Sequence, residues 1–572
     1  MNEVSEDKGF AKRMVETWRT KDLVTYILED LDLRIKKDRA VKLSVLATGL
    51  SAFLEQPINL FLKGESGIGK TYNVTETLKY FPQEDIWYLG GMSQKSLIHA
   101  HGRLLNKDGE EIDLENRPVK PCKRDFETEA DYKGAQTQYQ DGMKAFREEL
   151  RESYTLIDLS HRILVFLEAP DFYTYQMLRP ILSHDKEQIE YRFVDKTAKG
   201  QLRTVKVVLR GWPATIFLTL DSKYMEELAT RSFTATPENS ELKILEANVL
   251  TNFKASLPWQ YSEETEAFTI TKRLIQNLQK NTLESKIDVV IPFLNLYELF
   301  PREISRDMRD FQHFTQFLKT ITLLHFYQRA YMKDRETRFL FSTLEDVHRG
   351  LEIYKEIFET TRTGTEKRIL DFYNGIVKTR DQWYLKELTG AYNEKSKKKL
   401  SEESIRVMLV RLDKIGYVNT QKDDDMDKRK NLYVPLMKGE EKDKNPLENC
   451  SWQDSRAKLE KGFETWKENV LGRYAFYINK NIPGKEGEWG ETQTTLEELH
   501  RLILEEPHIF SSSAEQGSTR TFYNEDLKPK AEMKLETSQT RDSSRNLDNC
   551  AYELKTSSQG LPNGSGRGIE RP

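Results

Sequence analysis

The segment Gly64-Glu65-Ser66-Gly67-Ile68-Gly69-Lys70-Thr71 (the phosphate loop) decides how the rest of this sequence is interpreted. It fits the pattern GxxxxGK[ST], whose glycines let backbone N–H groups converge on a phosphate without clashes from Cβ atoms. In this pattern Lys70 reaches the β- and γ-phosphates of a nucleotide, and the Thr71 hydroxyl binds Mg²⁺. An apolar run at 58–62 precedes the loop and a helical pattern at 72–80 follows it. The sequence therefore predicts a strand–loop–helix unit that binds ATP and Mg²⁺.

A second apolar run, residues 163–167, is followed by the carboxylate of Glu168. Hydrolysis of a nucleotide needs an acidic residue at the end of a strand near the phosphate loop. The usual arrangement has an Asp before this Glu, where the Asp supports Mg²⁺ and the Glu polarises the attacking water. Leu167 stands at the Asp position here. We expect Glu168 to act as the base and to join Thr71 at the metal, with Asp171 as a further candidate for metal support and slow hydrolysis as the consequence.

Composition limits the classes of function. The chain has 572 residues and a formal net charge of −4, so contacts with nucleic acid require local basic patches. Its 3 cysteines lie far apart with no CxxC, which excludes a disulfide framework and the common cysteine-rich zinc sites. The sequence starts without an apolar signal segment, and no apolar run approaches the ~20 residues of a membrane span. We expect a cytoplasmic protein without membrane contacts.

Periodicity and composition divide the chain into several parts. Alternating strands and helices predict an α/β core with a parallel sheet, and helical spacing dominates on either side of it. The end of the chain is rich in serine and poor in apolar residues, which is typical of disorder. The predicted parts are an N-terminal helical segment (1–56), the α/β P-loop core (57–245, with an insertion at about 105–153), a helical lid (246–361), a winged helix (362–438), and a linker with short helices and a largely disordered tail (439–572).

Residues 362–438 are interpreted as a winged helix because three helical patterns are followed by two strands around a charged segment. In such domains a recognition helix enters the major groove of duplex DNA, and Lys and Arg side chains neutralise phosphates. Lys398, Arg406 and Arg411 favour this role. The aspartates between positions 423 and 427 oppose it, so a domain for protein contacts is the alternative.

Residues 189–194 and 202–209 alternate in polarity on either side of a polar tip with a glycine, which predicts a β-hairpin. Together with the phosphate loop and Glu168, this order of features resembles the AAA+ ATPases. The resemblance is strongest for the clade with a β-hairpin inserted before sensor 1, which includes the MCM replicative helicases and the superfamily III viral helicases. It covers roughly residues 20–440, as an arrangement of motifs.

The resemblance implies two sensor residues near the nucleotide. Thr219 stands where the family has its sensor 1 residue, with Asp221 as the alternative. Arg309, or else Arg306, is expected to be the sensor 2 arginine that reports the nucleotide state to the lid.

The resemblance also implies partners. The segment Leu228-Ala229-Thr230-Arg231-Ser232-Phe233 is similar to the family's L-x-S-R-F motif, in which the arginine is a finger that enters the active site of a neighbouring subunit. Arg231 acting in this way implies a homo-oligomer, such as a ring. At the hairpin, Lys196, Lys199 and Arg203 are expected to track a DNA backbone in the central pore.

Two functional hypotheses follow, and they belong to different classes. The preferred one is an ATP-driven motor on DNA, an MCM-like helicase in DNA replication with single-stranded DNA in the pore and duplex at the winged helix. The alternative is a nucleotide-switched, DNA-binding ATPase, such as an initiator, loader or transposition helper, that does not unwind DNA. Leu167 keeps this alternative open. A third option, a STAND-like signalling ATPase, predicts a repeat domain after the winged helix, and the sequence has none.

Overall fold

The computed structural model describes most of the chain up to residue 504. The described residues are 8–91, 93–195, 203–218, 225, 228–229, 231–260, 264–300, 302, 307–363, 365–396, 399–422, 431–436, 451–470, 473–482 and 488–504. They all belong to one structural unit, Met1–Glu506.

Helices and strands alternate through much of this unit. The α-helices are α1 (Lys8–Thr20), α2 (Leu23–Arg34), α3 (Arg39–Ser51), α4 (Lys70–Leu78), α5 (Gln94–His101), α6 (Glu129–Glu152), α7 (Phe172–Leu182), α8 (Glu241–Ser256), α9 (Glu266–Glu284), α10 (Asp307–Leu324), α11 (Leu344–Thr363), α12 (Lys367–Gly375), α13 (Leu385–Lys395), α14 (Glu402–Lys414), α15 (Trp452–Val470) and α16 (Leu496–Leu504). The strands are β1 (Asn59–Leu62), β2 (Ile86–Leu89), β3 (Arg103–Leu105), β4 (Tyr154–Asp158), β5 (Ile163–Phe166), β6 (Gln188–Asp195), β7 (Arg203–Arg210), β8 (Ala214–Phe217), β9 (Phe233–Ala235), β10 (Lys286–Val290), β11 (Ala330–Asp334), β12 (Thr337–Phe341), β13 (Trp383–Tyr384), β14 (Val418–Lys422), β15 (Asn431–Pro435), β16 (Phe476–Asn481) and β17 (Trp489–Thr494).

The central sheet has five parallel strands in the order β2-β5-β8-β1-β9. β1, β5 and β8 are buried along their whole length, which is typical of apolar strands covered by helices on both faces. Successive residues of β1 pack into different layers, because side chains alternate across a strand. Leu60 and Leu62 join α3 and α4 in one core cluster, and Phe61 joins α7 in another. The predicted α/β fold with a parallel sheet is therefore confirmed.

A second sheet, in the order β3-β4-β7-β6, contains the predicted hairpin. β6 and β7 pair antiparallel from Gln188↔Arg210 to Asp195↔Arg203. Tyr154–Asp158 also belongs to this second sheet, because β4 pairs with β7 in parallel and with β3 antiparallel. The hairpin is thus the edge of a four-stranded sheet, and α6 fills the second half of the insertion, as predicted.

A third sheet, in the order β10-β12-β11-β16-β17, joins two regions that the sequence interpretation separates. The predicted helical lid over 246–361 contains three strands besides its helices, because β10, β11 and β12 lie within it. A linker with short helices is predicted after residue 438, whereas β16 pairs with β11 and β17 pairs with β16. Leu459, Phe463 and Leu499 are buried in the same core cluster as the N-terminal helices. No local pattern reveals the pairing of β10 with β12 or of β11 with β16, which are far apart in sequence, whereas β11–β12 and β16–β17 pair as neighbours along the chain.

Residues 365–436 (the 365–436 module) have a core of their own. α12, α13 and α14 pack on a three-stranded antiparallel sheet in the order β13-β15-β14. α14 begins after Ser401, whose hydroxyl accepts a hydrogen bond from the backbone N–H of Ser404. Ile405, Met408 and Leu412 form its buried face, at the predicted spacing. The other side of α14, with Arg406 and Val410, faces solvent.

The N-terminal helices belong to the main core. α1, α2 and α3 fall within the segment predicted to be helical, and Trp18, Ile27 and Val45 are buried in the cluster that contains β1. In the described part of the chain, no helix combines the length and the apolar character needed to cross a membrane.

Candidate nucleotide-binding site

The phosphate loop connects β1 to α4 at the carboxyl edge of the central sheet. Gly64, Gly67 and Gly69 have φ angles of 137°, 81° and 95°, a region that favours glycine over residues with a Cβ atom. α4 begins at Lys70, so the first backbone N–H groups of the helix lie at the end of the loop. Ligands of open parallel sheets bind beyond the carboxyl ends of the strands, and helix N-termini favour anions. The backbone is therefore arranged to hold a phosphate.

The structure brings the phosphate loop and Glu168 to one cavity of about 560 Å³. Residues 65–72, residues 167–169 and Leu218 line it. Because β8 lies between β1 and β5 in the sheet, the loop after β1 and the acidic residue after β5 face each other across one strand. A cavity of this size falls within the range of small-molecule sites, which is about 300 to 1,000 Å³.

Lys70 lies inside the phosphate loop. Its Nζ donates hydrogen bonds to the carbonyl oxygens of Gly64 at 2.5 Å and Glu65 at 2.9 Å. Burial lowers the pKa of the Lys70 ammonium, and the Glu366 carboxylate opposes this shift. The ammonium can therefore exchange loop carbonyls for phosphate oxygens without leaving the cavity.

Asp38 supports the phosphate loop through two other side chains, Asn73 and Lys243. Its Oδ2 accepts hydrogen bonds from Asn73 Nδ2 at 2.7 Å and from Lys243 Nζ at 2.6 Å. Asn73 Nδ2 also donates to the carbonyl of Gly69, and Lys243 Nζ donates to the carbonyl of Ile68, both at 3.0 Å. Asp38 and these two donors (the Asp38 hub) thus fix two consecutive carbonyls of the loop.

Sequence analysis did not single out the Asp38 hub. Asp38 lies in the turn before α3 with a left-handed φ of 55°, and its side chain is fully buried. Its Oδ1 also accepts a hydrogen bond from the backbone N–H of Glu238 at 2.7 Å. Lys243 comes from α8, 205 positions away in the chain. The only local signal is an acidic residue before a helix, which is too common to indicate a site.

Residues 167–169 line the cavity opposite the phosphate loop and are called the acidic wall. Asp171, the further candidate for metal support, follows them. The Asp171 carboxylate caps α7: Oδ1 accepts from the backbone N–H groups of Tyr173 and Thr174, and Oδ2 accepts from the Thr174 hydroxyl. The hydrogen bond from the Thr174 hydroxyl is the main cause that lowers the pKa of Asp171. Both oxygens of Asp171 serve the helix N-terminus and Asp171 is not among the residues that line the cavity, so its support of a metal stays a prediction.

The residues present fit Mg²⁺ only in the presence of a nucleotide. The described part of the chain contains no cluster of three or more His, Cys, Asp or Glu residues that could hold a metal ion. Mg²⁺ in nucleotide sites is commonly bound by one or two protein oxygens together with phosphates and water. The Thr71 hydroxyl and the Glu168 carboxylate, both at the cavity, would supply those protein oxygens.

The structure does not bring the predicted arginines to the cavity of their own chain. Arg231 Nη1 forms an ion pair with Asp185 Oδ1 at 3.0 Å, and its side chain is 30% exposed. Arg309 is exposed on α10, and neither arginine is among the residues that line the cavity. Thr219 directly follows the cavity residue Leu218 but lies outside the described residues. Asp221 and Arg306, the two alternatives, also lie outside them.

The predicted DNA contacts are only partly described. Lys196, Lys199 and Lys398 lie outside the described residues. Arg203 begins β7, at the end of the hairpin that leads to the tip. Arg406 is exposed on α14 and pairs with Glu403 at 2.7 Å, and Arg411 lies on the same helix.

Comparison of the sequence with the models of known protein families and with curated proteins finds no match in either.

Proposed function

We propose that this protein binds and hydrolyses ATP with Mg²⁺ in the cavity between the phosphate loop and Glu168. The observation that carries the proposal is that the two motifs, far apart in sequence, line one cavity at the carboxyl edge of a parallel sheet. A glycine-rich turn without a ligand has no need of a carboxylate across the cavity.

Each wall would contribute a separate part of the chemistry. The loop backbone and the α4 N-terminus would hold the phosphates, and the Lys70 ammonium would neutralise charge on them. Glu168 would polarise the attacking water as a general base. Leu167 supplies no carboxylate beside Glu168, so hydrolysis would be slow compared with that of enzymes with two acidic residues here.

The architecture supports assignment of the core to the AAA+ ATPases of the pre-sensor-1 hairpin clade. The hairpin of β6 and β7 stands between β5 and β8 in the chain, where that clade inserts it. The order of helices and strands in the 365–436 module supports a winged helix after the ATPase core. The hairpin also argues against a STAND-like signalling ATPase.

The preferred activity is an MCM-like helicase, working as a homo-oligomeric ring on DNA in replication. Arg231 supports this because it is partly exposed and remote from the cavity of its own chain, as a finger acting in trans must be. The exposed Arg406 on α14 supports contact with duplex DNA.

A nucleotide-switched, DNA-binding ATPase that does not unwind DNA is the second candidate. The engagement of Asp171 as a helix cap favours it, because Glu168 is then the one carboxylate that residues 167–169 present to the cavity opposite the phosphate loop. A switch needs tight nucleotide binding and tolerates slow turnover.

Nucleotide binding is tested by titrating the full chain with a fluorescent ATP analogue and Mg²⁺. Because hydrogen bonds to charged groups contribute about 1.5 to 3 kcal/mol, we expect Lys70→Ala to weaken binding about 10- to 100-fold. Lys95→Ala, which removes an exposed lysine on α5, is the matched control and should bind as the wild type does. Equal affinities of all three proteins would refute the proposal.

Strand displacement separates the two candidate activities. Lys196→Ala/Lys199→Ala should abolish ATP-dependent unwinding and retain ATP hydrolysis if the protein is a helicase. Lys120→Ala/Lys133→Ala, two exposed lysines of the insertion, is the control for the change in charge. A wild type that hydrolyses ATP without displacing any strand would favour the switch.

A further inference from the structure

α12 of the 365–436 module contacts the phosphate loop. The Arg368 guanidinium donates through Nη1 to Oε1 of Glu65, a residue that lines the cavity. Two residues earlier, the Glu366 carboxylate acts on the Lys70 ammonium, where it opposes the effect of burial on the pKa. The module thus forms one ion pair with the loop, between Arg368 and Glu65, and places the charge of Glu366 where it acts on Lys70.

The position of α12 follows from the central sheet. The hydroxyls of Thr360 and Thr361 near the end of α11 donate to the carbonyl of Thr234 in β9 at 2.8 and 3.3 Å. β9 pairs with β1, the strand that leads into the phosphate loop. α12 begins four residues after α11 ends, so it must start close to the loop.

Arg368 has spare hydrogen-bonding capacity at this contact. Its Nε is buried and has no hydrogen-bond partner among the described residues. A guanidinium carries five N–H donors, so this side chain can bind further oxygen atoms while Nη1 is paired.

We propose that Glu366 and Arg368 belong to the nucleotide site and couple its occupancy by a nucleoside triphosphate to the docking of the 365–436 module. This inference rests on the proposed function. Glu366 competes with phosphates for the charge of Lys70, and therefore opposes nucleotide binding. Arg368 neutralises Glu65, whose carboxylate would otherwise repel the phosphates, and therefore supports it.

Coupling between two events is reciprocal, so a nucleotide whose phosphates neutralise Lys70 weakens the electrostatic attraction between Lys70 and Glu366. The module would thereby transmit whether the cavity is empty or holds a nucleotide to the partner that binds α14. A change that alters the affinity of the cavity for nucleotide should therefore also alter how strongly the module docks on the phosphate loop.

The test is the same titration with the fluorescent ATP analogue, applied to charge-neutralising variants of the full chain. Coupling energies of this kind are commonly about 5-fold or more in affinity. We expect Glu366→Gln to bind about 5-fold more tightly and Arg368→Gln about 5-fold more weakly than the wild type. Glu65→Gln/Arg368→Gln should recover the affinity lost in Arg368→Gln, because the carboxylate that Arg368 neutralises is then also absent.

Glu394→Gln and Lys386→Gln make the same charge changes at exposed positions of α13 and should leave the affinity unchanged. The gain expected of Glu366→Gln cannot come from misfolding. A wild type that binds nucleotide, with Glu366→Gln and Arg368→Gln binding equally well, would overturn this inference and leave the proposed function intact. A wild type that does not bind nucleotide would overturn both.

Discussion

The two walls of the cavity are built differently. On the loop wall, the Asp38 hub fixes consecutive backbone carbonyls, and three glycines adopt φ values that favour glycine. On the acidic wall, Glu168 is exposed next to the apolar side chain of Leu167, and Asp171 is turned away to cap α7. Under the proposed function, this difference predicts that phosphate binding depends on a more firmly fixed geometry than hydrolysis does.

The largest effect is expected at the Asp38 hub. Asp38→Ala leaves the Lys243 ammonium, which is only 11% exposed, without its carboxylate partner. Removing one partner of a buried ion pair costs about 3 to 5 kcal/mol in the free energy of unfolding. Denaturant unfolding measures this loss, with the exposed Asp381→Ala as the control. A loss below about 1 kcal/mol, the size of an exposed pair, would show that the loop wall does not depend on the hub.

The acidic wall should affect turnover and leave folding unchanged. Glu168→Gln removes the general base and should lower the rate of ATP hydrolysis about 100-fold or more, with unchanged affinity for the ATP analogue. Glu115→Gln, an exposed glutamate of the insertion, should hydrolyse ATP at the wild-type rate. If Glu168→Gln hydrolyses ATP as fast as the wild type does, the base is another residue.

A gain of function would sharpen the comparison. Leu167 lines the cavity and is 38% exposed, so an acidic side chain fits there without being buried. Leu167→Asp should raise Mg²⁺-dependent hydrolysis about tenfold, because it adds a second carboxylate for the metal. Leu167→Asn has the same shape without the charge and should not raise the rate. Equal rates for the Asp and Asn variants would mean that support for the metal is not limiting.

The smallest effect is expected at the helix cap. Asp171→Ala should cost about 1 kcal/mol of stability and leave hydrolysis unchanged, whereas Asp171→Asn should retain the cap. Because the folded state lowers the pKa of Asp171, its contribution is present above the usual value of 3.8 and is lost as the pH falls through the lowered value. The unfolding free energies of the wild type and Asp171→Ala should therefore converge in acid. Loss of Mg²⁺-dependent hydrolysis in Asp171→Asn would instead assign this carboxylate to the metal.

Those parts of the site that depend on short stretches of chain were predictable from sequence. The phosphate loop places its glycines and Lys70 within eight residues, and Glu168 directly follows an apolar strand. Asp38 and Lys243 were not predictable, because their contact joins segments 205 positions apart. The same holds for Glu366 and Arg368, which reach the loop only because α11 is hydrogen bonded to β9.

Prediction of the fold from the sequence is limited in the same way by contacts between distant segments of the chain. The apolar strands of the central sheet are recognisable because both of their faces are buried, and the hairpin arms alternate in polarity over a full strand length. The third sheet is less recognisable, because β10 pairs with β12 and β11 pairs with β16 across long stretches of chain, although β11 and β12 also pair with each other as neighbours in sequence.

The chain leaves the main body after α11 and re-enters it in α15, whose Leu459 and Phe463 are buried in the main core. The 365–436 module is thus an insertion in the main body, since the chain on either side of it belongs to the main core. For the same reason the module cannot be removed by shortening the chain from its end, since that would also strip β16 and β17 from the third sheet.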